Sequence, residues 1–550
     1  MTGARIVVET LIEQGVDTVF GYPGGQVLNL YDELYAYSDK ITHILTAHEQ
    51  GAAHAADGYA RATGKVGVVI ATSGPGATNL ITGIANAHLD SVPMVAITGN
   101  VPCSLIGRDS FQEVDITGIS MPIVKHNYIV KDVTKLADVI REAFKIAKSG
   151  RPGPVLIDIP KDVQTAETDF VKQGVVEKYP FTAPDPELID KAVEMIKNSK
   201  RPFIYCGGGV VWSKACHAVA ELADIIDAPI GTSMMGLSSI SADNPRMLGM
   251  VGMHGRYAST KTKSVSDLII ALGVRFSDRA TGNKDAYVPQ ADIIHIDVDP
   301  AEIDKNITSS IGIACNVADA LKLINEKLTP VKRDEWQAEI AKIREFEYKH
   351  TQPAEGMAPY NIIDCVNKYT TPDMPVATDV GQHQMWTAQR YKFRESRKFI
   401  SSGGLGTMGF GLGAAIGACL GSGKRTVLFT GDGSFGMNLN ELATAVSQNL
   451  PVIIIIMDNG VLGMVRQWQT MFYKKHYSQT TLNRKTDFVK LADAFGLKGF
   501  RATTIDELDA QLKEAFETDG PVLIDCMIDK DERVLPMIPP NGTIEDLIVD

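Results

Sequence analysis

Residues 425–460 read RTVLFTGDGSFGMNLNELATAVSQNLPVIIIIMDNG. Two apolar runs each predict a buried strand, and each run ends in a polar group: Gly431-Asp432-Gly433-Ser434 after the first and Asn459-Gly460 after the second. The carboxyl ends of parallel strands share one sheet edge, where open α/β folds bind ligands. Glycines let the backbone approach a phosphate, and Asp432 and Asn459 offer oxygen ligands for Mg²⁺. Either motif alone could be a turn or a strand cap, but together they predict a phosphate and magnesium site.

The same alternation of strand and helix patterns continues through the chain and predicts an α/β fold of three doubly wound parallel-sheet domains. A length of 550 residues with 44% apolar composition is enough for about three cores. We expect domains at 1–165, 186–330 and 358–540, with linkers near 165–186 and 329–358. The sequence GPVLID at 153–158 recurs at 520–525, which predicts that the first and last domains share a topology.

The strands are predicted from short apolar runs bounded by turn residues. In the first domain they are DTVF, ITHILTA, KVGVVIAT, VPMVAITG and PVLIDI. The middle domain has PFIYCGGG, API, SDLIIALGV and ADIIHIDVD, and the last has PVATDV, KFISSGG, RTVLFTGDGS, PVIIIIMDN and PVLIDCMID.

Composition argues against several classes of partner. The formal net charge is -12 and no Lys/Arg-rich tract occurs, so neither nucleic acid nor an anionic membrane is expected. The seven cysteines are single, without a CxxC pair, which is typical of buried thiols in a reducing compartment. No apolar run reaches the ~18 residues of a membrane span. We therefore expect a cytoplasmic protein.

A carboxylate in the first domain is the second candidate functional group. Glu49 follows an apolar strand and begins a predicted helix whose next residues, GAAHAA at 51–56, are small enough for close packing. A glutamate at a helix start is usually a cap favoured by the helix dipole. The small-residue helix could also pack against something flat and leave the carboxylate partly buried, so both interpretations stay open on the residues alone.

Longer stretches of the chain resemble the catalytic subunits of acetohydroxyacid (acetolactate) synthases, within the thiamin-diphosphate enzymes. They are FGYPGG (20–25), HEQGAAHAADGYAR (48–61), SGPGATN (73–79), GMHG (252–255), DVGQHQMW (379–386) and SGGLGTMGFGL (402–412). The resemblance implies a thiamin-diphosphate-binding fold for the first and last domains and a Rossmann-like FAD-binding middle domain. It also implies decarboxylation of pyruvate and condensation with pyruvate or 2-oxobutyrate, giving 2-acetolactate or 2-aceto-2-hydroxybutyrate. This is the first common step of branched-chain amino-acid biosynthesis.

The resemblance carries site residues onto matching positions. Glu49 is implied to hydrogen-bond the cofactor aminopyrimidine, with Gln112 and Lys125 as further catalytic positions. The metal ligands would be Asp432, Asn459 and the carbonyl of Val461. The remaining implied positions contact thiamin diphosphate (Gly24, Gly381, Gln382, His383, Gly406, Met408, Gly431, Gly433, Ser434, Met464), the substrate (Phe111, Val465, Trp468) or FAD (Gly207, Gly208, Gly209, Met235, Gly252, Met253, His254, Gly255, Arg275, Asp278, Arg279, Asp297).

Several alternatives stay open at this level. Phe111 and Trp468 could be core aromatics, Gln112 a surface amide and Lys125 a solvated lysine. Ser277 stands where the family usually has an acid, a departure that bears on FAD binding. A flavin-free catabolic acetolactate synthase, another 2-oxo-acid decarboxylase and a non-catalytic subunit of the same fold are the competing functions.

The resemblance also implies an assembly. In the family the glutamate and the diphosphate site come from different subunits, so we expect a homodimer or homotetramer, with a regulatory small subunit as a further partner. A tryptophan at position 468 would favour 2-oxobutyrate over pyruvate, but one methylene is worth only ~1–3 kcal/mol, so both substrates are expected.

Overall fold

The computed structural model describes residues 1–350 and 355–549, and its described strands form three six-stranded sheets. The first sheet has the order β2-β1-β3-β4-β6-β5 and all its pairs are parallel. Its strands are β1 Thr18–Tyr22, β2 Thr42–Leu45, β3 Gly67–Ala71, β4 Met94–Asn100, β5 His126–Ile129 and β6 Pro154–Pro160. Its helices are α1 Gly3–Glu13, α2 Leu28–Ala36, α3 Glu49–Thr63, α4 Pro75–Asn79, α5 Ile81–Leu89, α6 Ile116–Ser120, α7 Leu136–Lys148 and α8 Lys161–Thr165.

The middle sheet is parallel with the order β12-β11-β10-β7-β8-β9, which is the 3-2-1-4-5-6 order of a Rossmann fold. Its strands are β7 Pro202–Cys206, β8 Ile230–Thr232, β9 Met247–Met250, β10 Leu268–Leu272, β11 Asp292–Asp297 and β12 Ile311–Ala314. Its helices are α9 Pro186–Asn198, α10 Gly208–Trp212, α11 Cys216–Ile225, α12 Tyr257–Ser264, α13 Asp278–Thr281 and α14 Val317–Glu326, followed by α15 Asp334–His350.

The last sheet has the order β14-β13-β15-β16-β18-β17, the same topology as the first sheet. The recurring GPVLID segments form β6 and β18, which hold equivalent positions next to one edge, so the predicted shared topology is confirmed. Its strands are β13 Val376–Thr378, β14 Phe399–Ile400, β15 Thr426–Gly431, β16 Val452–Asp458, β17 Lys498–Ala502 and β18 Val522–Met527. Its helices are α16 Pro359–Asn367, α17 Gln382–Arg390, α18 Phe410–Ser422, α19 Asp432–Asn438, α20 Leu442–Ser447, α21 Gly463–Phe472, α22 Phe488–Phe495 and α23 Ile505–Glu517.

The predicted linker at 329–358 differs from the structure, because most of it forms α15. Trp336, Ile340 and Ile343 recur at helical spacing and are buried against the middle domain. The Trp336 indole Nε1 donates to the carbonyl of Pro202 at 3.1 Å. Residues 351–354 of this segment lie outside the described residues. No helix within the described ranges is long and apolar enough to cross a membrane.

Helices α3 and α18 join the first domain to the last by unusually close packing. A Cβ atom added at Gly417 would lie 1.8 Å from the carbonyl oxygen of Ala55, and one added at Gly58 would lie 2.1 Å from that of Ala414. The two backbones therefore touch where glycine removes the side chain. This contact buries the small residues of GAAHAA and fixes how the two domains sit against each other.

We expect Gly417→Ala to lower the free energy of unfolding by about 1–3 kcal/mol, because overpacking forces two buried helices apart. Gly436→Ala in α19 is the matched control, since a Cβ there meets only the end of the Arg484 side chain and alanine favours helix. Denaturant unfolding of both variants measures the difference. Equal stabilities would show that the close contact is not a constraint.

Candidate active site

Two carboxylates lie where β15 and β16 end. Gly431 and Met457 are partners in the parallel ladder, so Asp432 and Asp458 follow them side by side. Asp432 begins α19 and is buried, and burial together with the Asp458 carboxylate raises the pKa of Asp432 to about 7. Carboxylates this close repel each other unless a proton or a cation neutralises them. The predicted metal ligand thus occupies a place suited to a cation.

A chain of amides orients the second predicted ligand, Asn459. Its Nδ2 donates to Gln382 Oε1 at 3.4 Å, and its Oδ1 accepts from the main-chain N–H of Val461 at 3.2 Å. Gln382 is held in turn, because its Nε2 donates to Gln467 Oε1 at 3.0 Å. The structure therefore brings together the three predicted ligands and one predicted diphosphate contact.

His383 lies between two of the predicted glycines. Added Cβ atoms would lie 2.7 Å from its ring at Gly381 and 2.9 Å at Gly431. Burial lowers the pKa of His383 to about 3, so the ring is neutral, and its buried Nε2 has no hydrogen-bond partner. A buried ring nitrogen without a partner marks a place where a ligand group could bind. Nearby, Ser434 Oγ donates to the carbonyl of Val380 at 2.6 Å.

The first domain carries a separate half-site around Glu49. This half-buried residue begins α3, and its Oε2 accepts from Asn79 Nδ2 at 2.9 Å. A Cβ at Gly76 would lie 3.2 Å from the other Glu49 oxygen, and one at Gly24 would lie 2.5 Å from Thr72. We call Gly24, Glu49, Thr72, Gly76 and Asn79 the glutamate half-site. The glycines keep space beside the carboxylate.

Phe111 and Gln112 lie on a loop beside this half-site. The Gln112 main chain adopts the left-handed conformation, with φ 59°, and packs against Gly74. Phe111 is 83% exposed, so it is not a core aromatic within this chain.

Lys125 does not join the glutamate half-site. It precedes β5, at the amino-end edge of the sheet, and its Nζ donates to the carbonyls of Ile146 and Ser149 at 2.5 and 2.6 Å. Burial of the ammonium lowers the pKa of Lys125 to about 8. The structure therefore does not bring Lys125 together with the glutamate half-site, because this lysine binds the end of α7; its expected catalytic role stays a prediction.

Lys161, by contrast, lies beside the glutamate half-site. It follows β6 directly, at the carboxyl-end edge, and its Nζ donates to the carbonyl of Gly25 at 3.1 Å. The signal was present in the sequence, since a lysine directly after a buried strand lies where ligands bind in such sheets.

A large cavity of about 1030 Å³ lies where the first, middle and last domains meet. None of the described residues of the glutamate half-site lines this cavity, and neither Phe111 nor Gln112 lines it. The residues that do line it include many of the predicted ones: Gly208, Gly209, Met235, Met253, His254, Arg275, Asp278, Arg279, Asp297, Gly381, Gly406, Met408, Met464, Val465 and Trp468.

The other predicted glycines of the middle domain act behind this cavity. A Cβ at Gly207 would lie 1.9 Å from the carbonyl oxygen of Gly273, and one at Gly252 would lie 2.6 Å from that of Arg279. Gly252 also has a φ of +110°, and Gly255 packs against the main chain of Val251. These glycines allow main-chain segments to pack closely and do not line the cavity.

The cavity wall is basic and contains unpartnered polar atoms. Arg275 is half-buried and lines it, and the partial burial lowers the pKa of that guanidinium. Arg151, which the sequence did not indicate, also lines it and pairs with Glu302 at 2.8 Å. The buried Nδ1 of His254 has no partner, and burial raises the pKa of Asp297 to about 6. Such a wall suits a long anionic ligand.

Comparison with known proteins agrees with this geometry. The family models "Thiamine pyrophosphate enzyme, N-terminal TPP binding domain", "central domain" and "C-terminal TPP binding domain" match residues 1–119, 189–324 and 379–526. The acetolactate synthase isozyme 2 large subunit of Escherichia coli is 44% identical over all of this chain and 99% of its own length. The acetolactate synthase large subunit of Cyanidium caldarium is 45% identical, covering all of this chain and 96% of its own.

A probable acetolactate synthase large subunit of Methanocaldococcus jannaschii is 44% identical over all of this chain and 95% of its own. The chain belongs to the acetolactate synthase large-subunit family. It is therefore a thiamine-pyrophosphate enzyme of the carboligase class, and the predicted resemblance and fold class are confirmed.

In this acetolactate synthase family member, a buried ion cluster holds the glycine loop that precedes Met408. Asp90 accepts from Arg61 Nη2 at 2.9 Å and from the main-chain N–H groups of Gly403 and Gly404 at 3.0 and 2.7 Å. Arg61 also donates to the carbonyl of Ser401 at 2.9 Å. A first-domain ion pair thus fixes the conformation of a loop of the last domain.

We expect Asp90→Asn to destabilise the protein by about 1–3 kcal/mol and to weaken thiamin diphosphate binding, because it leaves buried donors less well satisfied. Asp138→Asn is the control, since Asp138 is a second, exposed partner of a buried arginine, Arg141. Thermal unfolding with and without cofactor measures both effects. Equal losses in the two variants would contradict a loop-fixing role for Asp90.

Proposed function

We propose that this chain is the catalytic subunit of a biosynthetic acetolactate synthase. It would decarboxylate pyruvate and join the remaining two carbons to pyruvate or to 2-oxobutyrate, giving 2-acetolactate or 2-aceto-2-hydroxybutyrate. The observation that carries the proposal is the pair of half-sites, one with Glu49 and one with Asp432 and Asn459, in a chain 44% identical to acetolactate synthase large subunits over its full length.

The residues of the last domain fit thiamin diphosphate and Mg²⁺. Asp432, Asn459 and the Val461 carbonyl would hold the cation, and an anionic diphosphate would favour the protonated ring of His383, whose unpartnered Nε2 would then donate to a phosphate oxygen. When bound, the cofactor supplies the electron sink that stabilises the charge left when carbon dioxide departs. The glycines at 431 and 433 leave the space that a diphosphate requires.

The chain's own groups then orient, hold protons and exclude water. Asn79 fixes one Glu49 oxygen, which leaves the other free to share a proton with a ring nitrogen of the bound aminopyrimidine. Lys161 offers a cation beside the Gly24–Gly25 turn, suited to a substrate carboxylate. Met408 and Met464 supply apolar surface that keeps water from the reacting carbons.

We further propose that FAD binds in the large cavity without taking a net redox part. A volume of about 1030 Å³ is large enough for a dinucleotide, and the arginines at 275 and 279 would meet its phosphates. Ser277 also lines this cavity, so the position that departs from the family pattern faces the same space. A loss of FAD binding caused by Ser277 would favour the flavin-free alternative.

The two half-sites support a dimer in which each active site uses two chains. Apolar side chains are exposed beside both halves: Phe111 (83%) and Leu45 (51%) beside the first, and Leu405 (41%), Met437 (53%) and Val465 (50%) beside the second. Exposed apolar patches of this kind mark contact surfaces. A second copy of the chain would cover both patches and bring a Glu49 to each diphosphate site.

A separate small subunit is a further proposed partner, because the relatives are called large subunits. A homotetramer of two such dimers is also compatible with this arrangement.

Product identification tests the function directly. The protein is incubated with pyruvate, thiamin diphosphate and Mg²⁺, with and without 2-oxobutyrate, and the products are identified by NMR. We expect 2-acetolactate alone in the first case and 2-aceto-2-hydroxybutyrate in addition in the second. Release of acetaldehyde only would identify a simple decarboxylase. A fully active preparation that releases no FAD on denaturation would favour the catabolic alternative.

Substitution of Lys161 and of Lys125 tests which of the two lysines acts in the active site. We expect Lys161→Met to lower kcat/KM for pyruvate by about 10- to 100-fold, the value of a charge-assisted contact. Lys125→Met should leave kcat/KM almost unchanged and lower the melting temperature, because it removes the contacts to the end of α7. The reverse pattern would restore Lys125 to the active site.

Trp468 is the residue proposed to select the second substrate. It lines the cavity on α21, and Arg279 lies 5.8 Å from its ring centroid. We expect Trp468→Leu to reduce the preference for 2-oxobutyrate by about tenfold, since a methylene in an apolar pocket is worth about 1–3 kcal/mol. Phe472→Leu, which removes a neighbouring ring outside the cavity, is the control. An unchanged product ratio in competition would exclude Trp468 from this role.

A further inference from the structure

Lys263, on α12 of the middle domain, is buried without a polar partner. The residue is 5% exposed, and its ammonium has no hydrogen bond or ion pair among the described residues. Its nearest charged or aromatic neighbour is the ring of Tyr287, whose centroid lies 4.2 Å from Nζ. Burial alone lowers the pKa of Lys263 to about 7. Lysines are almost never buried in this way unless they are paired.

Lys263 lines a second cavity, of about 350 Å³, which we call the lysine cavity. It lies between α12, the segment 280–290 and the C-terminal segment 538–545. Thr260 and Tyr287 also line it, and their buried hydroxyls have no hydrogen-bond partners. Three residues whose polar groups lack partners therefore line one small space. Unsatisfied buried groups of this kind are rare and need an explanation.

The charged groups around the lysine cavity do not neutralise Lys263. Glu545 lies at the rim with its side chain 82% exposed, and its carboxylate is 3.8 Å from the ammonium of Lys261. Glu347, on the neighbouring α15, binds Arg256 and the main-chain N–H of Ala258. The cavity is therefore cationic whenever Lys263 is protonated.

One part of the remaining wall is apolar, formed by Val288, Pro289, Ile538 and Ile544 together with Met253. The other part is polar and consists of Ser264, Thr281, Asn283, Gln290, Thr543 and Glu545. A strongly hydrated polyanion would leave the apolar part without matching contacts, whereas a short hydrocarbon chain would bury it. The chemistry of the wall thus complements a molecule with one anionic end and one aliphatic end.

We propose that the lysine cavity binds a small aliphatic monocarboxylate. The carboxylate would accept hydrogen bonds from the Lys263 ammonium and from the Thr260 and Tyr287 hydroxyls. The hydrocarbon chain would lie against Val288 and Ile538. This site is separate from the residues assigned to thiamin diphosphate and depends on none of them.

The lysine cavity shares a wall with the large cavity. Met253 and Ala280 line both. The main-chain N–H of Met253 donates to the carbonyl of Arg279 at 2.8 Å, and the Met253 carbonyl accepts from Ile538 at 2.8 Å. An occupant therefore contacts the segment whose other side faces the proposed FAD site, which makes the site suited to an effector.

Isothermal titration of the full-length protein with 2-methylpropanoate tests the proposal. We expect saturable binding of one molecule per chain, with uptake of protons at pH 7 and above, because the bound anion favours the protonated lysine. The affinity should be highest below pH 7 and fall about tenfold per pH unit above it, as the empty site loses its charge. Affinity that does not change between pH 6 and 9 would overturn the proposal.

Three variants assign the contacts. Lys263→Met keeps an unbranched side chain without the ammonium and should weaken binding by about 10- to 100-fold, the value of a charged hydrogen bond. Tyr287→Phe should weaken it about three- to tenfold while leaving the pH dependence in place. Lys261→Met, on the same helix but pointing to the rim, is the matched control and should bind like the original chain.

The stability and the binding of these variants together decide whether the proposed site exists. Removal of an unpaired buried ammonium should raise the melting temperature of Lys263→Met without ligand, which checks that the variant is folded. Unchanged binding in this variant, no saturable binding at all, or tighter binding of inorganic phosphate than of 2-methylpropanoate would each contradict the proposed site. Tyr287→Phe gives an independent result if Lys263→Met does not fold.

Discussion

Helices α3 and α18 approach so closely that several of their facing positions hold glycine, and this contact determines how the first and last domains meet. Glu49 begins one helix, and the loop at 402–409 leads into the other. Both candidate half-sites therefore have positions set by the same packed surface. Within one chain they do not share the large cavity, although the residue types on each side are those that a single thiamin diphosphate needs.

Buried polar groups in this protein fall into two sets. Structural groups are fully paired: Arg61 with Asp57 and Asp90, and Arg141 with Glu13. A second set contains buried atoms without partners, among them His383 Nε2 and His254 Nδ1. Because an unsatisfied buried group costs free energy, its persistence at a cavity wall is explained most simply by a ligand. The proposed cofactor sites and the lysine cavity all rest on this distinction.

The central strands were predictable from sequence because each is an apolar run buried on both faces. The strands that the sequence did not predict, β5, β9, β12 and β17, are all at the edges of their sheets. Edge strands are half-exposed, so β5 (HNYI) and β17 (KGFRA) lack a continuous apolar signal. Helix α15 was missed for the opposite reason, since its buried residues are spaced widely within a polar segment.

Whether a candidate site residue was predictable also depended on its position relative to the central strands. Groups at the ends of central strands, such as Asp432 and Asn459, were predictable because strand and ligand position coincide. Lys125 precedes an edge strand and lies apart from the glutamate half-site, whereas Lys161, which follows β6, lies beside it. Arg151 and the ion cluster of Asp90 depend on contacts between domains, which no local pattern encodes. The proposed sharing of one cofactor by the two half-sites likewise involves a contact between two chains, which no local pattern encodes.

The most direct test of this account is a hybrid of two inactive variants. Chains carrying Glu49→Gln and Asp432→Asn are co-expressed with different affinity tags, and the hybrid dimer is isolated by two successive purifications. If each active site uses two chains, the hybrid has one intact site and one doubly substituted site, so it should show about half of the original activity in a symmetric dimer. Activity no higher than that of either parent would contradict a shared active site.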